Sequence, residues 1–305
     1  MIYSSSEKEN EMGEALLDAL IDTAKMIGIL YLVYLIVAYL EHHNNQKFHH
    51  FMQRTQKAGP FMGAVLGIVP QCGFSAVMSD LFAKHKITIG TLVAVFVATS
   101  DEAIPILISH PEFYKFLIIL LGIKLVYATA VGFAMDGIIA LIHKKKGEKQ
   151  ERNEVLEKDH DCEHDDHCDH CDSHHCCADN IFLDALKHTA IIAAFVFVAT
   201  AIINIIMFYV GTESMTNALM SLSIFQPLVA AAIGLIPNCC ASVVLLELFI
   251  KGGLSFGSLV AGLCAGSGVG LLVLFKQNKS IKQNLLVLFT CYITGAALGM
   301  IICLF

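Results

Sequence analysis

The stretch GAVLGIVPQCGFSAVMSDLFAK, residues 63–84, decides the fold because the chain contains it twice. A shift of 167 residues lays it on AAAIGLIPNCCASVVLLELFIK, residues 230–251. Without a gap, 16 of the 45 positions from 63 to 107 are identical to their counterparts. Proline, cysteine, serine and lysine match in register, which a shared apolar composition would not produce. The sequence therefore predicts two homologous halves.

Each copy carries a proline motif in the middle of an apolar run: Pro70-Gln71-Cys72-Gly73 in the first half and Pro237-Asn238-Cys239-Cys240 in the second. Proline removes an amide donor and breaks a helix. A broken helix survives at membrane depth only where protein or a water-filled cavity satisfies the freed backbone groups. We therefore expect broken or re-entrant helices at Pro70 and Pro237.

The surrounding composition places these motifs in a membrane. Of the 305 residues, 56% are hydrophobic and 15% charged, whereas soluble domains carry about 25% charged residues. The excess lies in runs of roughly 20 residues, the length of a bilayer-spanning helix. A soluble enzyme, a nucleic-acid-binding protein and a disulfide-stapled secreted domain are therefore excluded, and an all-α polytopic protein in a lipid bilayer is predicted. Eight apolar segments cover residues 15–40, 60–83, 87–109, 113–142, 181–210, 228–250, 254–275 and 285–305.

The basic residues of the loops indicate that the halves are inverted. Cytoplasmic loops near span ends carry an excess of Lys and Arg, and Lys144, Lys145 and Lys146 follow a span directly. The loop 41–59 has three basic residues and its counterpart 211–223 has none, whereas the loop 110–115 has one and its counterpart 276–282 has three. The bias reverses, as inverted repeats of about five membrane segments each require. Inverted repeats with paired interrupted segments predict a transport site at the midplane of the membrane.

The linker 143–180 separates the repeats 1–142 and 181–305 and carries twelve acidic against six basic residues. Within it, CEHDDHCDHCDSHHCC contains only Cys, His, Asp and Glu apart from Ser173. Since these residue types ligate divalent metals, we predict a disordered cytoplasmic metal-binding tract. A merely solvated acidic linker would explain the charges but not the thiols and imidazoles. The candidate ligands are Cys162, His164, His167, Cys168, His170, Cys171, His174, His175, Cys176 and Cys177.

The proline motifs offer a second set of ligands. Thiolates suit Zn, Cu(I) or trivalent arsenic. Alternatively, each cysteine is a small apolar residue that packs inside a helix, its commoner role. The candidates at this site are Pro70, Gln71, Cys72 and Ser75, with Pro237, Asn238, Cys239, Cys240 and Ser242 in the second half.

A third set is Ser100-Asp101-Glu102, inside the third apolar segment. Carboxylates within a membrane are costly and act by default as ion ligands or proton carriers. Alternatively, the segment bends at Pro105 and exposes both acids to water. Lys124 would be their counter-charge or a coupling group. We expect the loss of Asp101 to abolish transport.

Other charged and small residues receive simpler interpretations. Asp80 with Lys84, and Glu247 with Lys251, fit pairs at the membrane interface. Asp136 fits a solvated position near the inner end of its span. The run Gly266-Ser267-Gly268-Val269-Gly270 is superficially like a nucleotide loop, but it lies in a span and predicts close helix packing.

Energy for transport must come from outside these motifs. No G-x-x-x-x-G-K-[ST] motif occurs in the sequence, so transport would be driven by a gradient or by another subunit. Protonation of the carboxylates on an acidic outer side would weaken metal binding, which is a basis for proton antiport.

The paired P-[QN]-C motifs, the intramembrane S-D-E and the His/Cys/Asp-rich central loop together resemble one family. It consists of ten-span heavy-metal exporters related to the ArsP-type permeases, whose bacterial members are described as arsenic efflux proteins or as manganese transporters. The resemblance runs from Leu16 to Phe305 and implies five spans in each half. It also implies that the motif positions are Pro70, Cys72, Pro237 and Cys239, with Asp101 and Glu102.

The sequence thus predicts export of a divalent transition-metal ion of the Mn or Zn class through a bacterial cytoplasmic membrane. Alternatives are an arsenite or metalloid permease that uses the cysteines, a permease for an organic or thiol-reactive solute, and a membrane metal sensor. We expect no enzymatic activity, no resident cofactor and no nucleic-acid partner. The sequence leaves open whether the chain forms a homo-oligomer.

Overall fold

Helices make up all the regular secondary structure that can be described. The computed structural model describes residues 31, 58–69, 72–100, 103–145, 181–210, 219 and 225–304, and no strand occurs in these ranges. The helices of the first half are α1 Gly59–Gly67, α2 Cys72–Ala83, α3 Ile89–Ala98, α4 Ala103–Ile108, a 3₁₀ turn at Pro111–Phe113, and α5 Tyr114–Lys145. Those that follow the linker are α6 Ile181–Val210, α7 Gln226–Gly234, α8 Cys239–Ile250, α9 Phe256–Ala265, α10 Gly270–Gln277 and α11 Ile281–Leu304.

The spacing of the sequence repeat reappears in the positions of the helices. Each of α1–α5 starts 167 residues before its counterpart in α7–α11. The packing is duplicated too, because α1 contacts α3 and α3 contacts α5, as α7 contacts α9 and α9 contacts α11.

Equivalent residues start equivalent helices in the two halves. Pro60 and Pro227 lie in the first turns of α1 and α7, where a missing amide donor costs nothing. Thr88 caps α3 by accepting a hydrogen bond from the Thr91 amide at 3.1 Å. Ser255 caps α9 in the same way, with the Ser258 amide at 3.2 Å. A hydroxyl at this position satisfies one of the free amides of the first helical turn.

The molecule places its interrupted helices inside and its long helices outside. Every residue from Thr91 to Ala98 in α3 is buried, and α9 is buried throughout from Gly257 to Ala265. By contrast, α5 and α11 expose large apolar side chains along one face, among them Ile118, Val126 and Ile293. Such a face is suited to lipid, and it leaves the inner face to pack on α3 or α9.

Four stretches of the described chain are long and apolar enough to cross a membrane: Ile89–Ile108, Pro111–Leu141, Phe256–Gln277 and Ile281–Leu304. The first and third of these contain the pairs α3–α4 and α9–α10. Their 18-residue windows are 75% and 78% buried, against 28% and 33% for the stretches that contain α5 and α11. The interrupted helices are therefore shielded from lipid by protein, as unpaired backbone groups at membrane depth require.

The two halves exchange contacts. Helix α2 of the first half packs on α10 of the second, α8 of the second packs on α4 of the first, and α3 and α9 also touch. Four phenylalanines form an aromatic cluster across this boundary. Phe249 lies 5.6 Å from Phe113, 5.5 Å from Phe116 and 6.0 Å from Phe256 between ring centroids.

The interpretation of the glycine run as packed helix is wrong for residues 266–269, because α9 ends at Ala265 and α10 begins at Gly270. Gly268 has φ +54°, a left-handed conformation that glycine adopts without steric cost. The prediction of close packing is confirmed at Gly270. A side chain there would come within 2.7 Å of the Ser75 Cβ and 2.8 Å of the Phe96 ring.

Asp136 is also more than a solvated charge. Its carboxylate accepts hydrogen bonds from the Gly90 amide at 3.0 Å and the Thr88 hydroxyl at 2.8 Å. A carboxylate on α5 thus caps the amino end of α3, where the helix dipole favours negative charge.

The two predicted ion pairs form, but in different surroundings. Lys84 lies 3.0 Å from the Asp80 carboxylate, whose side chain is 2% exposed. Lys251 lies 3.1 Å from Glu247, and both of these side chains are exposed.

Candidate functional site

The proline motifs coincide with interruptions between helices. In the second half α7 ends at Gly234 and α8 begins at Cys239, with Pro237 and Asn238 in non-helical backbone between them. In the first half α1 ends at Gly67 and α2 begins at Cys72. With 9 and 12 residues, α1 and α2 measure about 13 and 18 Å. Each is too short to cross about 30 Å of hydrocarbon alone.

A second pair of interruptions lies beside the first. Helix α3 ends at Ala98 and α4 begins at Ala103, just as α9 ends at Ala265 and α10 begins at Gly270. Each half therefore contributes two chain breaks. The break that follows α3 contains Ser100, Asp101 and Glu102.

Glycines bring the breaks of each half close together. A methyl group at Gly67 would lie 2.6 Å from the Val95 carbonyl oxygen and 2.9 Å from the Ala98 Cβ. In the second half a methyl group at Gly234 would overlap the Gly262 carbonyl, one turn before α9 ends. The carboxyl ends of α1 and α3 thus meet, as do those of α7 and α9.

Lys124 joins the breaks of one half to those of the other. It lies on α5 and is 0% exposed. Its Nζ donates one hydrogen bond to the Thr99 carbonyl, directly after α3, and another to the Leu263 carbonyl of α9 at 2.7 Å. The last carbonyls of a helix have no intrahelical partner, so the ammonium supplies donors that the ended helices lack.

The electrostatics of this junction favour a positive charge. Carbonyl ends of helices carry a partial negative charge, and α3 and α9 direct theirs at the same ammonium. Taking an ion out of water costs several kcal/mol, which these carbonyls offset in part. We call this region the Lys124 junction: the ends of α3 and α9, the starts of α2 and α10, and Lys124 itself.

Serines link the start of α2 to the start of α10. The Ser79 hydroxyl lies 2.8 Å from the Ser75 carbonyl and 2.7 Å from the Gly270 carbonyl. Ser75 and Ser79 are both buried. Because Gly270 also approaches Phe96 near the end of α3, the starts of α2 and α10 adjoin the break that follows α3.

The other predicted residues are placed as follows. Ser100 is 2% exposed, and its hydroxyl donates to the Ala98 carbonyl at 3.2 Å. Asn238 is buried, and Ser242 and Pro237 are partly buried. The structure therefore brings Ser75, Ser100 and Lys124 together at the Lys124 junction, while Pro237, Asn238 and Ser242 belong to the adjoining break between α7 and α8.

Several predicted ligands lie outside the described residues: Pro70, Gln71, Asp101, Glu102 and the whole tract from Cys162 to Cys177. Cys72 and Cys239 are the first residues of α2 and α8 and Cys240 the second of α8, but their side chains lie outside the description too. Among the residues described, no group of three or more His, Cys, Asp or Glu could hold a metal ion. Cys264, Cys291 and Cys303 are free thiols.

Sequence reasoning missed the backbone carbonyls of Thr99 and Leu263, because a carbonyl leaves no trace in residue type. It also missed the Ser267 hydroxyl, which is buried without a hydrogen-bond partner among the described residues. A signal for Ser267 was present, since it is identical to Ser100 at the repeat spacing.

Comparison with known proteins identifies the family. A family described as "Putative, 10TM heavy-metal exporter" matches residues 7–182 and again residues 178–305. No curated protein and no solved structure matches the chain. The two matches together cover nearly all of the sequence and divide it within a few residues of the end of the linker. This multi-pass membrane protein therefore belongs to the ten-span heavy-metal exporter family.

Proposed function

We propose that the protein exports a divalent transition-metal ion of the Mn or Zn class from the bacterial cytoplasm, driven by an ion gradient. The single observation that carries this proposal is the Lys124 contact to carbonyls of both halves. Discontinuous helices that meet at a repeat interface are the usual construction of a midplane transport site. The proposal takes the two halves as inverted repeats, with each proline motif inside a re-entrant or broken helix.

The charge of the junction supports a cation as cargo. Lys124 contributes one positive charge, whereas Asp101 and Glu102, which connect Ser100 to Ala103, contribute two negative ones. The resulting net charge of −1 favours a bound cation. Carboxylates, hydroxyls and carbonyls are hard oxygen donors, which suit Mn.

The linker supports a role for metal on the cytoplasmic side. Its Cys, His and Asp residues, from Cys162 to Cys177, would collect metal ions and raise their concentration at the inner mouth. Imidazoles favour divalent transition metals over arsenite.

The decisive experiment measures cellular metal content in a host that lacks its own exporters. Wild type, Asp101→Asn and the double variant Cys72→Ser/Cys239→Ser are each challenged with Mn, Zn and arsenite. We expect wild type to lower cellular Mn or Zn and Asp101→Asn to abolish this, because one negative charge and one ligand are lost. The cysteine variant should retain most of the activity.

A second candidate function, arsenite export, rests on the cysteines that open α2 and α8 beside the breaks. Thiolates bind trivalent arsenic well. If only arsenic falls and only the cysteine variant loses this, the thiolate site is primary and arsenite replaces the divalent metal as cargo. No change for any ion contradicts both functions and leaves the organic-solute permease or the metal sensor.

Deleting residues 160–177 separates cargo recognition from metal collection. For a metal exporter that collects ions through the linker, the deletion should raise the metal concentration needed for half-maximal export. If the range of transported solutes is unchanged and only the response to metal differs, the linker is regulatory and an organic-solute permease is favoured.

A further inference from the structure

Ser267 is a buried hydroxyl at the centre of the second-half break. It lies between α9 and α10, is 1% exposed, and its Oγ has no hydrogen-bond partner among the described residues. Buried hydroxyls are nearly always hydrogen-bonded, and an exception needs an explanation. Either the group is an unused remnant, or its partner is absent from this state of the protein.

The position of Ser267 favours an absent partner. Four residues before it, the Leu263 carbonyl accepts the Lys124 ammonium at 2.7 Å. Three residues after it, Gly270 closely approaches Ser75 and Phe96. Ser267 is thus bracketed along the chain by residues of the Lys124 junction.

Local backbone could have satisfied this hydroxyl, but it does not. Ser100, the repeat counterpart of Ser267, donates to the Ala98 carbonyl two residues earlier at 3.2 Å. Ser267 makes no equivalent bond to Ala265. The two halves therefore differ at one position: the first provides two acids beside a satisfied serine, and the second provides an unsatisfied serine without acids.

We propose that Ser267 Oγ is an oxygen ligand of the transported cation, supplied by the second half opposite Asp101 and Glu102 of the first. This assignment rests on the proposed function, since it gives the metal cargo a ligand from each half. A hydroxyl is a neutral hard donor, so Ser267 contributes affinity for Mn-class ions without adding charge. It is a binding residue for the cargo and has no part in the aromatic or glycine contacts that hold the helices together.

The experiment measures Mn²⁺ flux into proteoliposomes that contain the full chain. Ser267→Ala removes the ligand, and Ser267→Cys replaces the oxygen with sulfur at nearly the same size. The control is Thr189→Val on α6, because Thr189 is the other described hydroxyl that is buried without a partner and is not part of the Lys124 junction. Size-exclusion elution after detergent extraction reports whether each variant is folded.

For Ser267→Ala we expect KM for Mn²⁺ to rise about tenfold, the lower end of the loss seen when a metal site loses a supporting group, with Vmax within about twofold. Ser267→Cys should shift the preference from Mn²⁺ towards Cd²⁺, because sulfur is a soft ligand. Thr189→Val should match wild type in KM and in metal preference. Because Ser267→Cys reads out selectivity, it tests the role even if Ser267→Ala does not fold.

An unchanged KM in Ser267→Ala, or an unchanged Cd²⁺ to Mn²⁺ preference in Ser267→Cys, would overturn the assignment. A loss of Vmax alone, with KM unaltered, would also overturn it in favour of a structural role. If wild type itself carries no divalent metal, the proposed function fails instead. The two failures are therefore distinguishable.

Discussion

At the scale of single residues, Lys124 has the clearest physical rationale. A lysine side chain with no exposure to solvent or lipid can stay charged only where donors and acceptors replace its hydration. Here the Thr99 and Leu263 carbonyls belong to different halves of the molecule. The side chain therefore acts as a bridge between two broken helices as well as a local charge.

Replacing Lys124 by methionine should abolish transport, because the carbonyls of α3 and α9 would lose their common donor. Hydrogen bonds to a charged group contribute about 1.5–3 kcal/mol each, so the free energy of unfolding should fall as well. Lys124→Arg should not restore activity, since the wider guanidinium does not fit an enclosed ammonium site. Metal flux in proteoliposomes and thermal stability in detergent test both effects.

Lys115→Met is the matched control, because Lys115 lies on the same helix α5 and is exposed. Flux and stability near wild type are expected for it. If Lys124→Met transports as well as Lys115→Met, the ammonium is not part of the site.

At the scale of elements, each half is built by short helices whose ends are held by neighbours. Asp136 on α5 caps α3 through Gly90 and Thr88. In the second half Cys303 occupies the equivalent position, and its thiol lies 3.3 Å from the Ser255 hydroxyl. The same geometry is thus made with a carboxylate in one half and a thiol in the other.

Replacing Asp136 by alanine should lower the free energy of unfolding by about 1–2 kcal/mol, because α3 loses a cap and a favourable charge at its amino end. Thermal unfolding in detergent measures this. Glu112→Ala is the control, since Glu112 is exposed in the 3₁₀ turn that precedes α5. Equal stability of the two variants would show that the cap contributes little.

Substitution of Gly234 by alanine should disrupt the protein, because the new methyl group would overlap the Gly262 carbonyl. Backbone cannot move aside as a flexible side chain can, so α7 and α9 would separate and the breaks of the second half with them. We expect loss of the folded peak in size-exclusion chromatography and loss of metal flux.

Gly122→Ala provides the comparison, because nothing lies within 4 Å of the methyl group it would add on α5. It should fold and transport normally, and alanine also has the higher helix propensity. Normal folding of Gly234→Ala would mean that α7 and α9 are less tightly packed than the structure indicates.

At the scale of the whole molecule, the halves are held together by contacts that cross the repeat boundary. Helix α2 packs on α10 and α8 packs on α4, and the cluster of Phe113, Phe116, Phe249 and Phe256 adds aromatic contacts between them. Offset and edge-to-face aromatic pairs contribute about 0.5–1.5 kcal/mol each beyond burial.

Removing the Phe249 ring should therefore loosen the two halves. For Phe249→Ala we expect a loss of about 2 kcal/mol in the free energy of unfolding, below the 3–5 kcal/mol typical of a fully buried phenylalanine, because Phe249 is partly exposed. Phe289→Ala removes an exposed ring from α11 and should leave stability unchanged. Similar melting temperatures for both variants would contradict this role of the cluster.

The sequence by itself determined the membrane class, the duplication at 167 residues and the interruptions at the proline motifs. Composition, register and the missing proline donor act locally, so they can be read without coordinates. Ser75, Ser100 and Lys124 were also identified in this way, because polar residues are unexpected in apolar spans.

Only the tertiary structure decided that the ends of α3 and α9 meet at Lys124, that Asp136 caps α3, and that residues 266–269 interrupt a helix. Lys124 and the Leu263 carbonyl are 139 positions apart, and no local pattern specifies a contact at that distance. A run of small residues suits packed helix and chain break equally well. The choice between them depends on the neighbouring helices, which close around Gly270 and give the unwound residues their partners.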